Sequence, residues 1–390
     1  MSVSNPVAQA KPQYPEALFL IRLKVENASI ISSHLTWGMP APSAFVGFGH
    51  ALERKLNALP EYRGVQVVGV GVLCHQFHPQ VTRTNAYAPY QLNLARHPVE
   101  ASGGSAALLE EGKGFFEVTL LIGLAGDRLL DFFEGTDQAT ELKAQPLIEQ
   151  LKLLIWNMRL AGGSVFPTTR KPRLIKWERS PEQAQKRGRL LYRHLLPSFA
   201  LCDRSEILPL HQAWLAEQPS YLYTQGEAPN LLDTLLDLTR LNLQAPELPT
   251  SASDDDTQTT PEPATIAATT QQTPWQIRPR PAHQAGWLVA LPVGYGALTR
   301  VQAAGQVTGS RDDQYPVCFV ETLIGVGEWI SPHRIDNLAE LLWAYDAQPE
   351  HGLYRLVQPF RPDADLYYRQ PLPTTFVQPD TLTPTEHEEF

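Results

Sequence analysis

The stretch ISSHLTWGMPAPSAF, residues 31–45, places serine, histidine and tryptophan between an apolar run and a helix-like run. Ser32 and Ser33 offer hydroxyl groups, and His34 offers an imidazole that could act as a general base or bind a ligand by hydrogen bonds. Trp37 offers a ring on which a nucleobase could stack. No residue that would orient His34 as a base can be identified. The stretch therefore predicts a polar and aromatic binding rim rather than a catalytic loop.

Histidine and cysteine also cluster in the run CHQFH, where Cys74, His75 and His78 are candidate metal ligands. In a regular strand Cys74 and His78 point to one face and His75 to the other. No companion cluster has the spacing of a zinc site, so core packing and surface histidines are favoured over a metal. A metal-independent ribonuclease needs two catalytic groups side by side. Nothing in the sequence brings together any two of His34, His75, His78 and His333.

A glycine turn follows Arg159 and consists of Gly162, Gly163 and Ser164. Glycine lets the backbone approach a phosphate closely and present its N–H groups. The turn matches no nucleotide-binding fingerprint, since neither GxxxxGK[ST] nor a helix-opening GxGxxG occurs. Two interpretations stay open, a phosphate-binding turn and a tight helix-to-strand turn.

The block IGVGEWISPHR, residues 324–334, resembles the opening stretch in composition. Trp329 could stack on a base, and His333 and Arg334 could contact RNA, Arg334 by pairing with a phosphate. The sequence also predicts that Ser331 caps a helix with Pro332 at its first position and Trp329 buried beside it. The cap does not exclude contact with RNA.

Charge is distributed unevenly along the chain. The formal net charge is −9, but residues 170–193 hold nine arginines or lysines and two glutamates and carry +7. An acidic protein can present one basic face to phosphates. Other interpretations stay open, namely a solvated helix face, the path of target DNA and a surface that meets an acidic partner. Its candidate contact residues are Arg170, Lys171, Arg173, Lys186, Arg187, Arg189 and Arg193.

Hydrophobic patterning predicts the order strand, helix, strand, strand, helix, strand. The strands are 19–28, 64–77, 117–126 and a short run within 161–167, and the helices are one that Ser43 caps and one at 147–160. This βαββαβ order predicts an α+β, ferredoxin-like (RRM-like) core. The open face of such a sheet is a common platform for single-stranded RNA. The excursion at about 80–114 is longer than a hairpin needs, so we expect it to be functional.

The remaining chain is divided by composition. We predict a disordered N-terminus (1–15), the core (16–170), a basic and helical region (171–246), a disordered Thr/Ser/Pro-rich linker (247–274), a C-terminal region packing back on the core (275–356) and a tail (357–390). Within the C-terminal region, the segment 319–345 is predicted to end in a helix. No membrane span or secretory signal is recognised. Three scattered cysteines suit a reducing cytoplasm better than a disulfide framework.

Five blocks, taken together and in order, resemble a known family. They are LFLIRLKVENASIISSHLTWGMPAPSAFVGFGHALERKL, RLAGGSVFP, LLPSFALCDR, GWLVALPVGYGAL and FVETLIGVGEWISPHR. This family comprises the second Csy proteins, which are the Cas-five-type (RAMP superfamily) subunits of the type I-F CRISPR surveillance complex. The resemblance covers most of residues 16–356 and implies that the 80–114 excursion is the family's thumb. The 247–274 segment is longer than the family usually carries, and the tail is extra.

The resemblance implies a non-catalytic RNA-binding subunit. Such a subunit holds the 5′ handle of the CRISPR RNA together with the large subunit, docks the first backbone subunit, and meets target DNA through the assembled complex. We expect no cofactor and no metal. The opposing hypothesis is a metal-independent CRISPR RNA-processing endoribonuclease. The expected RNA contacts are Ser32, Ser33, His34, Trp37, Arg83, Arg96, Arg159, Gly162, Gly163, Ser164, Trp329, His333 and Arg334.

Overall fold

The computed structural model describes most of the chain between residues 13 and 362. The gaps are 87, 97, 98, 100, 106, 107, 131, 132, 134–136, 178, 219–227, 245–275, 279 and 349–351. The 247–274 segment, most of residues 1–15 and residues 363–390 of the tail lie outside the described residues, so the predictions for them stay predictions. The chain divides into two compact units, residues 1–206 with 289–390, and residues 207–288.

The described chain contains both strands and helices, with several consecutive strands in places. The helices are α1 (Pro42–Asn57), α2 (Asp127–Leu130), α3 (Asp137–Trp156), α4 (Pro181–Leu195), α5 (Ile207–Ala216) and α6 (Leu231–Thr239). The strands are β1 (Ala17–Ser29), β2 (Gln66–Pro79), β3 (Val81–Thr82), β4 (Gln91–Leu92), β5 (Leu94–Arg96), β6 (Leu108–Glu110), β7 (Lys113–Ala125), β8 (Arg159–Leu160), β9 (Gly163–Pro167), β10 (Arg173–Lys176), β11 (Phe199–Asp203), β12 (Leu243–Gln244), β13 (Gln276–Ile277), β14 (Leu288–Ala297), β15 (Val320–Ile330), β16 (Ala344–Gln348) and β17 (Leu353–Val357).

One large sheet organises the first unit. Its strand order is β16-β17-β14-β15-β11-β2-β7-β1-β9-β8, and β10 pairs with the start of β1. The central pairs β2–β7, β7–β1 and β1–β9 are antiparallel. The α+β prediction is therefore confirmed. Within the excursion between β2 and β7, β3 pairs with β4 and β5 pairs with β6.

Helix α1 covers one face of this sheet with the predicted apolar stripe. Phe45, Phe48, Leu52 and Leu56 are all buried and pack with α3 and the inward residues of β1 and β7. Burying each such side chain stabilises the fold by about 1.5–3 kcal/mol. The predicted cap is wrong, because the helix begins at Pro42 and Ser43 lies inside its first turn. Proline suits the first position since it has no N–H to satisfy there.

The opposite face of the sheet is covered over only part of its area. Leu18 and Leu20 of β1 and Leu121 of β7 pack against the apolar side of α4 and the segment Leu338–Leu342. The start of β1 is thus buried on both sides, whereas Lys24 further along the same face is exposed. Among the described residues of β1, the far half is the part of this face that α4 leaves uncovered.

The chain after residue 170 contains more strand than predicted. Strand β11 links β2 to β15 in the sheet. The helix predicted to end near residue 345 is wrong, because residues 332–334 and 338–341 form short 3-10 helices and β16 follows. Trp343 is fully buried, exchanges backbone hydrogen bonds with Val70, and donates from Nε1 to the carbonyl oxygen of Leu201 at 3.0 Å. These bonds fix an extended backbone that a helix would not allow.

The second unit has a polar centre and an apolar surface. Asp237 of α6 is buried and accepts a hydrogen bond from His211 Nε2 of α5 at 2.9 Å and another from Arg278. His283 Nε2 lies 2.9 Å from the other nitrogen of His211. The exposed side of α6 carries leucines instead, Leu231, Leu232 and Leu236. Among the described helices of the chain, none combines the length and apolar character that crossing a bilayer requires.

Candidate nucleic-acid interface

The opening loop, residues 31–37, is held in shape by its own serines. Ser32 Oγ donates to the carbonyl oxygen of Thr36 at 3.1 Å, and Ser33 Oγ accepts from the backbone N–H groups of Leu35 and Thr36. These bonds form a hydroxyl-stabilised turn. Ser32 and Ser33 therefore shape the loop, while Leu35 and Trp37 are 70% and 47% exposed.

His34 projects from this loop toward the beginning of β15. Its Nδ1 lies 3.5 Å from Glu321 Oε1, and both side chains are about half exposed. His333 follows the end of β15, an 11-residue strand. Because a strand rises about 3.3 Å per residue, His34 and His333 lie roughly 30 Å apart. These two histidines cannot act on the same phosphate.

The glycine turn is a two-residue β-hairpin connecting β8 to β9, so the helix-to-strand interpretation is wrong. Arg159 lies opposite Ser164, and Ala161 and Gly162 both have positive φ, 49° and 77°. Such turns match the twist of the flanking strands. Arg159 Nη1 donates to the carbonyl oxygen of Gly162 at 3.3 Å. The backbone at Gly162 is exposed and open to a ligand.

Gly163 has a structural role beside this turn. A Cβ at this position would lie 2.8 Å from the carbonyl oxygen of Glu26 and 2.9 Å from Ala28 Cα. We therefore expect Gly163→Ala to lower the free energy of unfolding by about 1–3 kcal/mol. Denaturant unfolding of the full chain measures the loss. Gly162→Asn is the control, because asparagine tolerates positive φ, and it should change stability little; an equal loss in both would contradict the packing argument.

Three segments meet at the far end of β1. The backbone N–H of Ser29 donates to the carbonyl oxygen of Ala161 in the hairpin at 2.8 Å, and that of Ile30 donates to Gly112 at the base of the excursion at 2.9 Å. The opening loop follows directly at Ile31. The structure thus brings the opening loop, the hairpin and the base of the excursion to one end of the sheet, as an RNA-binding rim requires.

The two arginines predicted to contact RNA from the excursion lie beyond its base. Arg83 is exposed, donates to the carbonyl oxygen of Ala86 at 3.2 Å, and lies over the ring of Tyr90 at 5.1 Å. Arg96 is in β5 opposite Leu108, and its side chain lies outside the described part of the structure. Arg83 therefore presents a cation stacked on an aromatic ring.

The C-terminal block lies elsewhere. Trp329 is half-buried against the core and lies opposite Leu201 of β11. The predicted side-chain cap is wrong, because Ser331 Oγ bonds to His333 Nδ1 at 2.8 Å and makes no cap bond. Tyr192 of α4 donates to the carbonyl oxygen of Ile335 at 2.7 Å. The structure thus places His333 and Arg334 beside α4, apart from the opening loop.

A basic cleft borders the uncovered part of the sheet. It consists of two adjoining hollows of about 210 and 230 Å³ that share Arg22, Thr169, Arg170 and Lys171. One hollow extends to Lys152 and Trp156 at the end of α3, where Lys152 Nζ lies 5.1 Å from the Trp156 ring centre and 2.6 Å from Glu149. The other hollow extends to Thr119, Arg173 and His194.

The cleft is strongly cationic. Arg170, Lys171 and Arg173 are exposed, and among the described residues no carboxylate lies within 4 Å of their side-chain nitrogens. Burial, followed by the charges of Arg173, Arg170 and Arg193, lowers the pKa of His194. A field that disfavours one more proton favours an anion. The cations of α4 are exposed at Lys186, Arg189 and Arg193 and half-buried at Arg187.

The CHQFH histidines belong to the sheet. A β-bulge between Cys74 and Gln76 reverses the alternation, so the predicted pairing of Cys74 with His78 on one face is wrong. His75 Nδ1 donates to the carbonyl oxygen of Pro197 at 2.7 Å, and its Nε2 lies 2.7 Å from Thr119 Oγ1. Burial lowers the pKa of His75 and raises that of Cys74 to about 11. Within the described chain no three potential ligands converge on a metal position.

Comparison with known proteins identifies the family. The family described as CRISPR-associated protein (Cas_Csy2) matches residues 18–356. The chain belongs to this Csy2 family. The protein named CRISPR-associated protein Csy2 of Pseudomonas aeruginosa (strain UCBPP-PA14) is 40% identical over 352 residues, which are 88% of this chain and 96% of that protein. The resemblance identified from the five sequence blocks is confirmed.

Sequence reasoning missed part of the basic cleft of this Csy2-family chain. Arg22 looked like an ordinary strand residue, and Lys152 and Trp156 looked like parts of an amphipathic helix. Their spacing of four residues places Lys152 and Trp156 on the same side of α3. A tryptophan one helical turn after a lysine was the signal available in the sequence. The fold is needed to show that both residues border residues 168–172.

Proposed function

We propose that this chain is a non-catalytic RNA-binding subunit of the type I-F CRISPR surveillance complex. It holds the 5′ handle of the CRISPR RNA together with the large subunit and docks the first backbone subunit. The observation that carries the proposal is the basic cleft, in which Arg170, Lys171 and Arg173 have no described carboxylate partner, in a chain of the Csy2 family. Phosphates supply the missing negative charge.

The rim at the end of β1 supplies contacts of a second kind. Trp37 and His34 are exposed on the opening loop, and the exposed backbone of Gly162 lies beside Arg159. Splayed RNA bases are held by stacking and by polar groups on their edges, whereas phosphates are held by cations. We assign base contacts to the rim and phosphate contacts to the cleft.

The core that positions these groups is ferredoxin-like in our proposal. The order β2-β7-β1-β9 and the packing of α1 and α3 into a common cluster support it. In the same proposal the 80–114 excursion is the thumb, which meets the backbone subunit. The assembled complex, acting in the cytoplasm, brings target DNA to the guide.

Cleavage of CRISPR RNA is the alternative function, and the geometry favours it less. His34 and His333 are separated by the length of β15, and both ring nitrogens of His75 have protein partners. A metal-independent ribonuclease needs an acid and a base on the same phosphodiester. We therefore assign cleavage to another subunit.

The pair formed with the large subunit tests the proposal. We expect the purified pair to carry RNA, seen as a raised 260/280 nm absorbance ratio, and to leave labelled repeat RNA intact in EDTA. Arg159→Ala should weaken handle binding about 5- to 10-fold, because a charge-assisted contact is lost. Arg334→Ala tests the contact predicted beside α4, and its effect on the same measurement should be comparable. The assignment is refuted by a pair that binds no handle RNA, or by one that cuts the repeat and loses this cleavage in His34→Ala or His333→Ala.

A further inference from the structure

The uncovered half of the sheet carries two exposed aromatic rings. Phe166 of β9 lies opposite Lys24 of β1 and is 43% exposed, and Phe115 of β7 is 36% exposed. Glu117, two residues after Phe115, also lies opposite Lys24. Residues directly opposite one another, and residues two apart on a strand, share a face. Phe115, Phe166 and Lys24 therefore lie on the face of the sheet opposite α1.

The neighbouring residues show that this exposure is selective. Val25, Phe116 and Val165 alternate with the exposed residues on the same strands and are buried against α1 and α3. The half of the face nearer the start of β1 is covered by α4. The two phenylalanines thus remain on the only stretch of this face that α4 leaves uncovered among the described residues of the central strands.

We propose that this half-face is a stacking platform for a single-stranded nucleic acid, with one base on Phe115, one on Phe166, and the strand continuing into the basic cleft. Base stacking on sheet-borne aromatic rings beside a cationic groove is how such strands are held without duplex structure. Lys24 lies two residues from Arg22 of the cleft, and Ser29 at the rim follows five residues later. The platform therefore joins the cleft to the rim.

The charges on the half-face fit a nucleic acid better than a protein partner. Lys24 lies exposed between the two rings, whereas the core of a protein interface is depleted of lysine. Glu117 is neutralised by Arg22 at 2.5 Å. Exposed Glu26 lies at the rim end, where its carboxylate can accept from an exocyclic amino group of a base. His78 and Gln76 on β2 complete the polar border.

The variant Phe115→Leu/Phe166→Leu of the pair with the large subunit tests the platform. Leucine keeps an apolar side chain of similar size and removes the ring. Because each stacked base contributes about 5-fold or more, we expect the affinity for handle RNA to fall about 30-fold. The salt dependence of binding should stay unchanged, since no phosphate contact is removed. Phe319→Leu, an exposed phenylalanine outside this face, is the matched control and should bind normally.

A fluorescent base analogue, 2-aminopurine, substituted along the handle gives an independent readout. Its fluorescence should be quenched at two positions by the wild-type pair and recover in the double variant. The platform rests on the proposed function, and the outcomes separate the two. Failure of the wild-type pair to bind RNA refutes both. Normal RNA binding by the double variant refutes the platform but not the proposed function. If the double variant binds RNA normally but no longer associates with a protein subunit, the half-face is a protein interface and the platform is again refuted.

Discussion

Replacing Arg170, Lys171 and Arg173 together by glutamate is expected to lower the affinity of the subunit pair for handle RNA on the order of 100-fold near 0.15 M salt. The three side chains line one cleft and have no described carboxylate partner, so their whole field is available to phosphates. Losing three phosphate contacts should also reduce the slope of log affinity against log salt by about two. Filter binding or fluorescence anisotropy across a salt series measures both quantities.

The matched control reverses three cations on the other side of the sheet. Arg54, Lys55 and Arg63 lie at the end of α1 and in the segment after it, and all three are exposed. Their replacement by glutamate changes the net charge equally, and we expect less than about a 5-fold effect, because exposed charges farther than about 8 Å from the ligand are largely screened. If both triple variants lost the same affinity for handle RNA, binding would depend on net charge, and the cleft would not be the binding site.

Asp237→Ala is expected to lower the free energy of unfolding of the second unit by about 3–5 kcal/mol, because it leaves His211 and Arg278 in a buried centre without their acceptor. Burial raises the pKa of Asp237, but hydrogen bonds from His211 and Arg278 outweigh it and hold that pKa below its ordinary value. Denaturant unfolding of the full chain, with hydrogen exchange over residues 207–244, measures the loss. Asp233→Ala, an exposed capping residue of the same helix, should cost about 1 kcal/mol.

The pH dependence follows from the direction of that shift. The carboxylate is stabilised in the folded state, so its contribution is complete above the unfolded value near pH 3.9 and is lost as the pH falls through the folded value. Burial and then the charge of His211 lower the pKa of His283, so the folded state disfavours the protonated form of this histidine. The free energy of unfolding therefore decreases as the pH falls below the unfolded value of about 6.5. Asp237→Asn should remove the more acidic part of this dependence. If the free energy of unfolding of this variant still decreased in the same way at acidic pH, the buried carboxylate would not be the source of the decrease.

Local periodicity predicted α1 and the helical region that contains α6, but the two helices differ in what they bury. In α1 the apolar stripe at Phe45, Phe48, Leu52 and Leu56 faces the core, so sequence and structure agree. In α6 the buried residues are Thr234, Asp237 and Leu238, while Leu232 and Leu236 face outward. Pattern reasoning places leucines inside. It cannot foresee a polar centre whose partners, His211 and Arg278, come from distant parts of the sequence.

Tertiary contacts also decided the elements that were predicted wrongly. The run DNLAELLWAY has helical spacing, but the backbone of Trp343 pairs with Val70 instead of continuing a helix. Sequence reasoning found the basic run because its density is visible locally. It did not find Phe115 and Phe166, since an exposed phenylalanine on a strand looks like a core residue until the covering helix is placed.

The pairing of β12 with β13 bears on how the chain can vary in length. Leu243 lies opposite Ile277 and Gln244 opposite Gln276, so the two described ends that flank residues 245–275 lie about 5 Å apart. The entropic cost of connecting two fixed ends rises by only about 0.6 kcal/mol for each doubling of the connecting length. Residues 245–275 are therefore a position where insertion, deletion or a grafted reporter leaves the geometry of both ends unchanged, which makes it a suitable place to label the subunit.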